Sequence, residues 1–543
     1  MLDLLRSLPT LLKARIWPNT VAFVRTREPQ VWAVSAMIGL AVSCAAVLFR
    51  IAIDVVQNLW LADSSEAVLT AALSAHWALV LFTPAAGGLL VGLIIVWFLP
   101  LRRAGGVADV IEARAAGGRN IELAPGFVSA IVSALSLGFG ASAGREGPMV
   151  HLGGAIATSI SERFAFPDWG RRTLLACGVA SAISASFNAP IAGVLFAHEV
   201  VLQHYAKRSF VPIVIASVMG SIVSRLYFGE DVAFSIPEYQ ITSFLEFPAF
   251  ALLGIVCALV AIIFQFSMIG TDTMARLVTI PLWLRPAIGG LFVGAIALWF
   301  PQVLGVGYEA TTQALTNALP LGLLIALIVA KVAATSITLA SRFGGGIVSP
   351  SLYIGAMTGS AFGLIASSAF PELSSSHGLY AILGMGAVAA ATIGAPISTA
   401  VMVFELTGGY ALSIALLLTV GIAVGINQAV HGRSFFQWQL ESRGLLVMDG
   451  PHRYVLRQLR VAAFMRPLEE DADPARDPDN EEPFLRPDQT LEAALRAFDE
   501  GGHTSLDVCD PQKPDTILGV VTQTAALRAY NRALVDVSVE EHR

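Results

Sequence analysis

Long apolar runs recur along the chain, at Val31–Val56, Trp77–Pro100, Leu174–Val201, Val211–Tyr227, Phe247–Phe266, Ala287–Phe300, Leu321–Leu339 and Tyr380–Ala429. Several reach the roughly 20 residues that a helix needs to cross a bilayer. Many are cut by glycine, proline or polar residues. Broken backbone at membrane depth is tolerated only where it is buried in protein or lines a polar cavity, so the pattern predicts an all-α, polytopic membrane protein with broken helices. After Val430 the pattern changes, and His431 to Arg543 reads as a soluble tail. Within it, Glu469 to Pro487 is an acidic, proline-containing linker. Beyond that linker, Leu491, Ala494, Leu495 and Phe498 share one helical face, and Ile517 to Val521 is a short apolar strand closed by Thr522.

Composition agrees. Of 543 residues 55% are hydrophobic and 14% charged, where a soluble protein carries about 25% charged residues. The mean hydropathy is +0.68. Arg6, Lys13, Arg15, Arg25 and Arg27 precede the first long run, which places the N-terminus in the cytoplasm by the positive-inside tendency; the segment is too long and too charged for a cleaved signal peptide. Cys44, Cys177, Cys257 and Cys509 stand singly, with no metal or redox spacing. The net charge of -6 sits largely in the tail, and no nucleic-acid partner is expected.

The two halves repeat. Asn188–Glu199 (NAPIAGVLFAHE) matches Gly394–Glu405 (GAPISTAVMVFE), with Ala-Pro-Ile shared and a glutamate at the same distance. Pro148–Ala155 (PMVHLGGA) matches Pro350–Met357 (PSLYIGAM). The offsets are 206 and 202 residues. Repeats with interrupted segments at corresponding positions point to an ion site near the bilayer midplane.

The chemistry centres on Gly-Arg-Glu-Gly-Pro at Gly144–Pro148, followed by Met149, Val150 and His151. An ionisable side chain between apolar segments costs several kcal/mol unless paired or wetted, which makes Glu146 a candidate functional residue. Pro148 suits a first helical turn, and free amides at that turn present the positive end of the helix dipole to an anion. The plainer reading is an Arg145–Glu146 pair that staples two helices.

GREGP, GGGIVSP at Gly344–Pro350, the NAPIAGVLF run and SFFQWQLESRG at Ser434–Gly444 together resemble the CLC family of chloride channels and transporters, in order and spacing from about Ser35 to Gly444. The resemblance implies two inverted half-repeats of tilted, broken helices, and a homodimer in the cell membrane with one pore per subunit. It also implies chloride or another small anion as cargo, with no cofactor. Glu146 then occupies the position of the gating glutamate. The backbone amides of Arg145, Glu146 and Gly147, and those of Ile347 and Val348, face the anion; Val348 stands where the family usually has Phe. The tail resembles a single CBS unit at about residues 484–533, weakly begun near Val455–Pro467. Such units usually work in pairs, so no nucleotide site is expected of it. The implied domains are residues 1–30, a cytoplasmic segment; 31–444, the membrane domain with repeats at about 31–227 and 246–430; and 445–543, a cytoplasmic tail.

Three departures from the family pattern bear on mechanism. In the first anion-binding loop, Ala104–Ala108, Gly105 replaces a serine whose hydroxyl donates to the central anion. Phe436 replaces the pore tyrosine. Each lost hydrogen bond to a charged group is worth about 1.5–3 kcal/mol, so the central site is expected to be weak unless both hydroxyls are restored. Thirdly, Val200 stands where proton-coupled members carry a second glutamate, as in channel members. Passive conduction is therefore favoured over proton-coupled exchange. Glu199 reads as a helix-packing carboxylate, and His198 as hydrogen-bonded rather than a proton relay.

Two other classes fare worse. His198-Glu199 resembles the start of a zinc-protease helix, but the next histidine, His204, lies about 240° around a helix from His198, where zinc ligands need an i, i+4 pair. No nucleophile motif supports an enzyme. A receptor signalling through the tail leaves Glu146 and the paired broken helices without a purpose.

Overall fold

Glycine, asparagine and proline set where the helices stop and restart. The computed structural model describes residues 17–61, 67–115, 121–229, 234, 241, 243–372, 375–408, 412–445, 456, 459–468, 483–513 and 516–542. Arg6, Lys13 and Arg15, and most of the acidic linker, lie outside the described residues. The chain divides into two compact units, Met1–Gln439 and Leu440–Arg543.

In the first half the helices are α1 (Trp17–Arg25), α2 (Glu28–Leu61), α3 (Val68–Ser74), α4 (Trp77–Phe98), α5 (Val107–Ala115), α6 (Leu123–Gly138), α7 (Glu146–Arg163), α8 (Asp168–Phe187), α9 (Pro190–Phe196) and α10 (Lys207–Phe228). The second half holds α11 (Phe247–Leu277), α12 (Arg285–Trp299), α13 (Tyr308–Leu315), α14 (Leu321–Ala340), α15 (Val348–Ala369), α16 (His377–Ile393), α17 (Pro396–Thr407) and α18 (Ser413–Val430), followed by α19 (Phe435–Glu441). Among the described residues seven helices are long and apolar enough to cross a membrane. Large apolar side chains such as Trp97, Leu226 and Trp299 are exposed, as a lipid-facing surface requires. Serines are sealed inside instead, Ser181 donating to the Gly39 carbonyl at 2.8 Å.

The apolar run Leu174–Val201 is two helices, not one. Asn188 ends α8 in the left-handed region (φ 54°), and Pro190 starts α9, where its missing N–H is no loss. Gly394 (φ 77°) and Pro396 do the same between α16 and α17. The run Tyr380–Ala429 thus becomes three helices. Conversely, α6 and α15 fall outside the apolar runs singled out in the sequence.

Reciprocal contacts join the halves, the mark of a pseudo-twofold axis. In α4 and α12, 202 residues apart, a Cβ at Gly88 would collide with the Pro286 carbonyl, and one at Gly290 with the Pro84 carbonyl. Gly153 of α7 meets the Gly178 carbonyl of α8, and Gly355 of α15 the Gly384 carbonyl of α16. Without a hydrophobic driving force between helices in lipid, close backbone approach of this kind supplies the packing energy.

The tail unit carries a sheet of order β1-β3-β2, from β1 (Arg466–Pro467), β2 (Ser505–Cys509) and β3 (Ile517–Thr522), with antiparallel pairing. Helix α20 (Leu491–Gly501) precedes β2, and α21 (Gln523–His542) follows β3. Leu485 pairs in parallel with Val508. The core holds Leu491, Ala494 and Phe498 with Leu506, Val508 and Val521.

Candidate functional site

The two motif loops meet backbone to backbone. Gly144 N–H donates to the Gly346 carbonyl and Gly346 N–H to the Gly144 carbonyl, both at 2.7 Å, in an antiparallel bridge. Side chains would obstruct it: Gly147 lies so close to Gly346 that an added Cβ would stand 3.1 Å from the Gly346 Cα. From this junction α7 starts at Glu146 and α15 at Val348, each with its proline in the first turn. First-turn amides have no intrahelical acceptor. The junction therefore gathers Arg145, Glu146, Gly147, Ile347 and Val348 at two helix N-termini.

Glu146 is fully buried and reaches across the junction. Its Oε1 accepts from Ser349 Oγ at 2.5 Å and its Oε2 from Ser349 N at 3.4 Å. A carboxylate thus lies at the N-terminus of α15, where the helix dipole favours an anion. The Arg145 guanidinium donates to the Ser186 carbonyl at 3.0 Å and to the Tyr308 hydroxyl at 3.2 Å, and lies over the Tyr308 ring. Ser349 and Tyr308 were not singled out from sequence. Ser349 lies within the quoted GGGIVSP segment, while nothing near Tyr308 in the sequence marked it.

Gly105 is held from several sides. Its N–H donates to Ser129 Oγ at 2.7 Å, and the Gly106 N–H to Asp109 Oδ2 at 2.8 Å. Asp109, in the first turn of α5, is clamped by both Arg103 amino groups, at 2.5 and 3.0 Å. The loss of the serine side chain leaves no void: a Cβ at Gly105 would run into Nε2, Cε1 and Cδ2 of His151. A side chain at position 105 therefore requires the His151 ring to move aside. His151 lies five residues beyond Glu146 on α7, about 7.5 Å along the helix. Phe436 is buried in α19, whose first turn is closed by Ser434 N–H to Gln437 Oε1 (2.7 Å) and Gln437 N–H to Ser434 Oγ (3.3 Å).

At the far end of α9 the helix widens into a π turn, Ala197–Leu202, and Gln203 stops it in the left-handed region. Val200 is buried there. Both oxygens of Glu199 accept amides at the start of α17, from Ile397 (3.1 Å) and Ser398 (2.7 Å). Glu405 returns the arrangement with the amides of Ile191 (3.0 Å) and Ala192 (2.7 Å) of α9. The two repeat-end glutamates are therefore reciprocal helix caps. His198 is sealed, with Nδ1 2.9 Å from the His204 carbonyl and its ring stacked on Tyr205. His204 lies beyond the helix end, so the helical angle from His198 does not apply to it.

Known proteins match this arrangement. The family model described as voltage gated chloride channel covers residues 87–428. A putative chloride channel protein, ClcB-like, of Ralstonia nicotianae is 33% identical over 395 residues, which cover 71% of this chain and 91% of that protein. The H(+)/Cl(-) exchange transporter ClcA of Cronobacter sakazakii is 35% identical over 309 residues, 55% of this chain and 66% of its own length. Among solved structures, a slow cyanobacterial Cl-/H+ antiporter superposes with a TM-score of 0.69 at 23% identity, over 78% of this chain and 99% of the other. A eukaryotic CLC transporter gives 0.65 at 20% identity, over 92% and 88%. Motifs, reciprocal halves and these likenesses agree that the chain is a multi-pass membrane protein belonging to the voltage-gated chloride channel family, the CLC family.

Proposed function

We propose that this chain conducts chloride passively across the cell membrane, as a homodimer with one pore per subunit and Glu146 as a protonatable gate. It moves ions and is not an enzyme. The ionised Glu146 carboxylate takes the place of an anion at the N-terminus of α15. Protonation weakens its hold on the dipole and on Ser349, and a chloride ion replaces it among the amides of Arg145, Glu146 and Gly147 and of Ile347 and Val348. Flux then rises as pH falls.

One observation carries the uncoupled reading: Glu199 is committed as a cap through both oxygens, and Val200 beside it has no titratable group. Neither offers a proton a landing place between the cytoplasm and Glu146. His198 has one ring nitrogen engaged with the His204 carbonyl. The termini are placed in the cytoplasm on the strength of the basic N-terminal segment. The parallel Leu485–Val508 pairing, the helix after it and the β2–β3 hairpin support a single CBS-like unit in the tail.

Proteoliposomes loaded with chloride test the proposal. When valinomycin shunts the voltage they should release chloride while external pH barely moves. Proton-coupled exchange is the second reading, favoured by the 35% identity to an H(+)/Cl(-) exchange transporter. It predicts uphill proton movement in fixed ratio to chloride, abolished by a protonophore, and that result would replace the channel mechanism.

A further inference from the structure

Arg145 directly precedes Glu146, and a guanidinium beside a buried carboxylate is placed to pair with it through two parallel hydrogen bonds. Such a pair would hold Glu146 ionised. Both Glu146 oxygens instead face Ser349, while Arg145 Nη2 donates to the Ser186 carbonyl at 3.0 Å and to the Tyr308 hydroxyl at 3.2 Å. Ser186 lies in the last turn of α8, where a cation suits the helix dipole. The guanidinium also stands over the Tyr308 ring, 4.9 Å from its centroid, and Phe234 packs edge-on against that ring at 5.5 Å.

Tyr308 is a feature of one half alone. Its counterpart 202 residues earlier is Gly106, where an added Cβ would meet nothing within 4 Å. The repeated scaffold therefore does not call for a side chain at this place. The second half supplies one where it meets Arg145, whose own counterpart is Ile347. The loop before it is pinned, because Lys331 Nζ holds the Val303 and Gly305 carbonyls and Gly307 (φ 91°) turns the chain into α13 at Tyr308.

We propose that Tyr308 is a positioning residue of the gate: its hydroxyl and ring hold the Arg145 side chain away from Glu146 and so leave that carboxyl able to take up a proton. This rests on the reading of Glu146 as a protonatable gate. Among the described residues, Arg50 and Asp54 of α2 line the same pocket as Arg145 and Tyr308, Glu309 accepts from the Leu69 and Thr70 amides, and Lys331 faces the two loop carbonyls. Those charges stay the same in every variant below. The Tyr308 hydroxyl also neighbours Ser349, and removal of the Arg145 guanidinium separates that contact from the one proposed.

Chloride flux from liposomes holding the full-length chain, measured across pH, tests the assignment, with size-exclusion profiles to verify folding. Tyr308→Phe loses only the hydroxyl; Arg145 then turns to Glu146, and the flux curve should move about one unit toward acid, or about tenfold less flux on its rising limb. Added to Arg145→Leu, the same change should move the curve by less than about 0.3 unit, since no guanidinium remains to be released. Should Tyr308→Phe fail to fold, Tyr308→Gln and Tyr308→Leu repeat the contrast with and without an acceptor, and the leucine curve should lie about half a unit or more to the acid side. An unshifted curve, a shift toward alkali, an equal shift in the Arg145→Leu background, or coincident glutamine and leucine curves overturns the inference. In each of those cases a flat profile for Glu146→Gln leaves the gate reading standing, whereas a wild-type profile for Glu146→Gln overturns both.

Discussion

The two halves of the membrane unit share a backbone and divide the chemistry. At positions 202 residues apart, Arg145 corresponds to Ile347, Glu146 to Val348, His151 to Tyr353 and Ser129 to Lys331. In the first half the junction carries a titratable carboxylate beside an arginine. In the second it carries inert side chains, and its helix N-terminus is left to receive the carboxylate through Ser349. Lys331 lies fully buried under this second half. Its Nζ donates to the Val303 and Gly305 carbonyls, both at 3.0 Å, and sits over the Tyr353 ring. A pocket of about 40 Å³ lined by Arg50, Arg145, Gln302 and Tyr308 opens beside Gly307. The two halves thus supply two equivalent helix N-termini, of which one carries the Glu146 carboxylate and the other receives it through Ser349. A symmetric pair of glutamates would have put two like charges at one junction, where they repel.

The largest expected effect breaks that asymmetry at its titratable end. Glu146→Gln, neutral at every pH, cannot compete with an anion for the helix N-terminus as a carboxylate does, so it should raise flux at pH 7 by roughly tenfold or more and flatten its pH profile between about 4 and 7. Liposome flux assays read both. A retained wild-type profile would make Glu146 structural and return the gate to another residue.

Next come the positions where the halves are equivalent. Gly88→Ala and Gly290→Ala each push a methyl group into a backbone carbonyl of the other half. Each should cost about 2–3 kcal/mol, visible as a fall in Tm of the detergent-solubilised protein, and the two should agree closely. Unequal losses would show that the α4–α12 contact is not the reciprocal one described.

Lys331→Met and Ser129→Ala then probe corresponding sites of different chemistry. The first leaves two buried carbonyls without a charged donor and should cost about 2 kcal/mol; the second leaves the Gly105 N–H without its acceptor and should cost about 1 kcal/mol. Thermal melts of both variants measure the ordering, and a reversal would mean that the loop at Gly105 is the more rigid of the two. A comparably small effect is expected at the caps. Glu405→Gln keeps a carbonyl acceptor for only one of the Ile191 and Ala192 amides and sets its NH2 against the other, and should lose about 1 kcal/mol, with chloride flux unchanged.

Much of this was legible beforehand. Ala-Pro-Ile after asparagine or glycine announces a stop and a restart, because one residue tolerates positive φ and the proline needs no donor, and the helices break there in both halves. GREGP placed Glu146 correctly at a helix start. What could not be read is whatever depends on a partner distant in sequence. The Arg145–Glu146 staple is adjacent in sequence and therefore suggested itself, yet Glu146 hydrogen-bonds to Ser349, 203 residues away. Glu199 looked like a packing carboxylate and proves to be a cap on the opposite half.

By itself the sequence determined that the chain lies in a membrane, that its two halves repeat, and which segment sets an ionisable side chain at a helix start. These follow from local properties: hydropathy, spacing and the conformational limits of glycine and proline. Only the tertiary structure decided which amides each carboxylate satisfies, that α4 and α12 meet through glycines, and that the space beside Gly105 belongs to His151. Those outcomes depend on which surfaces come within a few ångströms once the two halves close on each other, and hydrogen bonds and steric exclusion act only at that range.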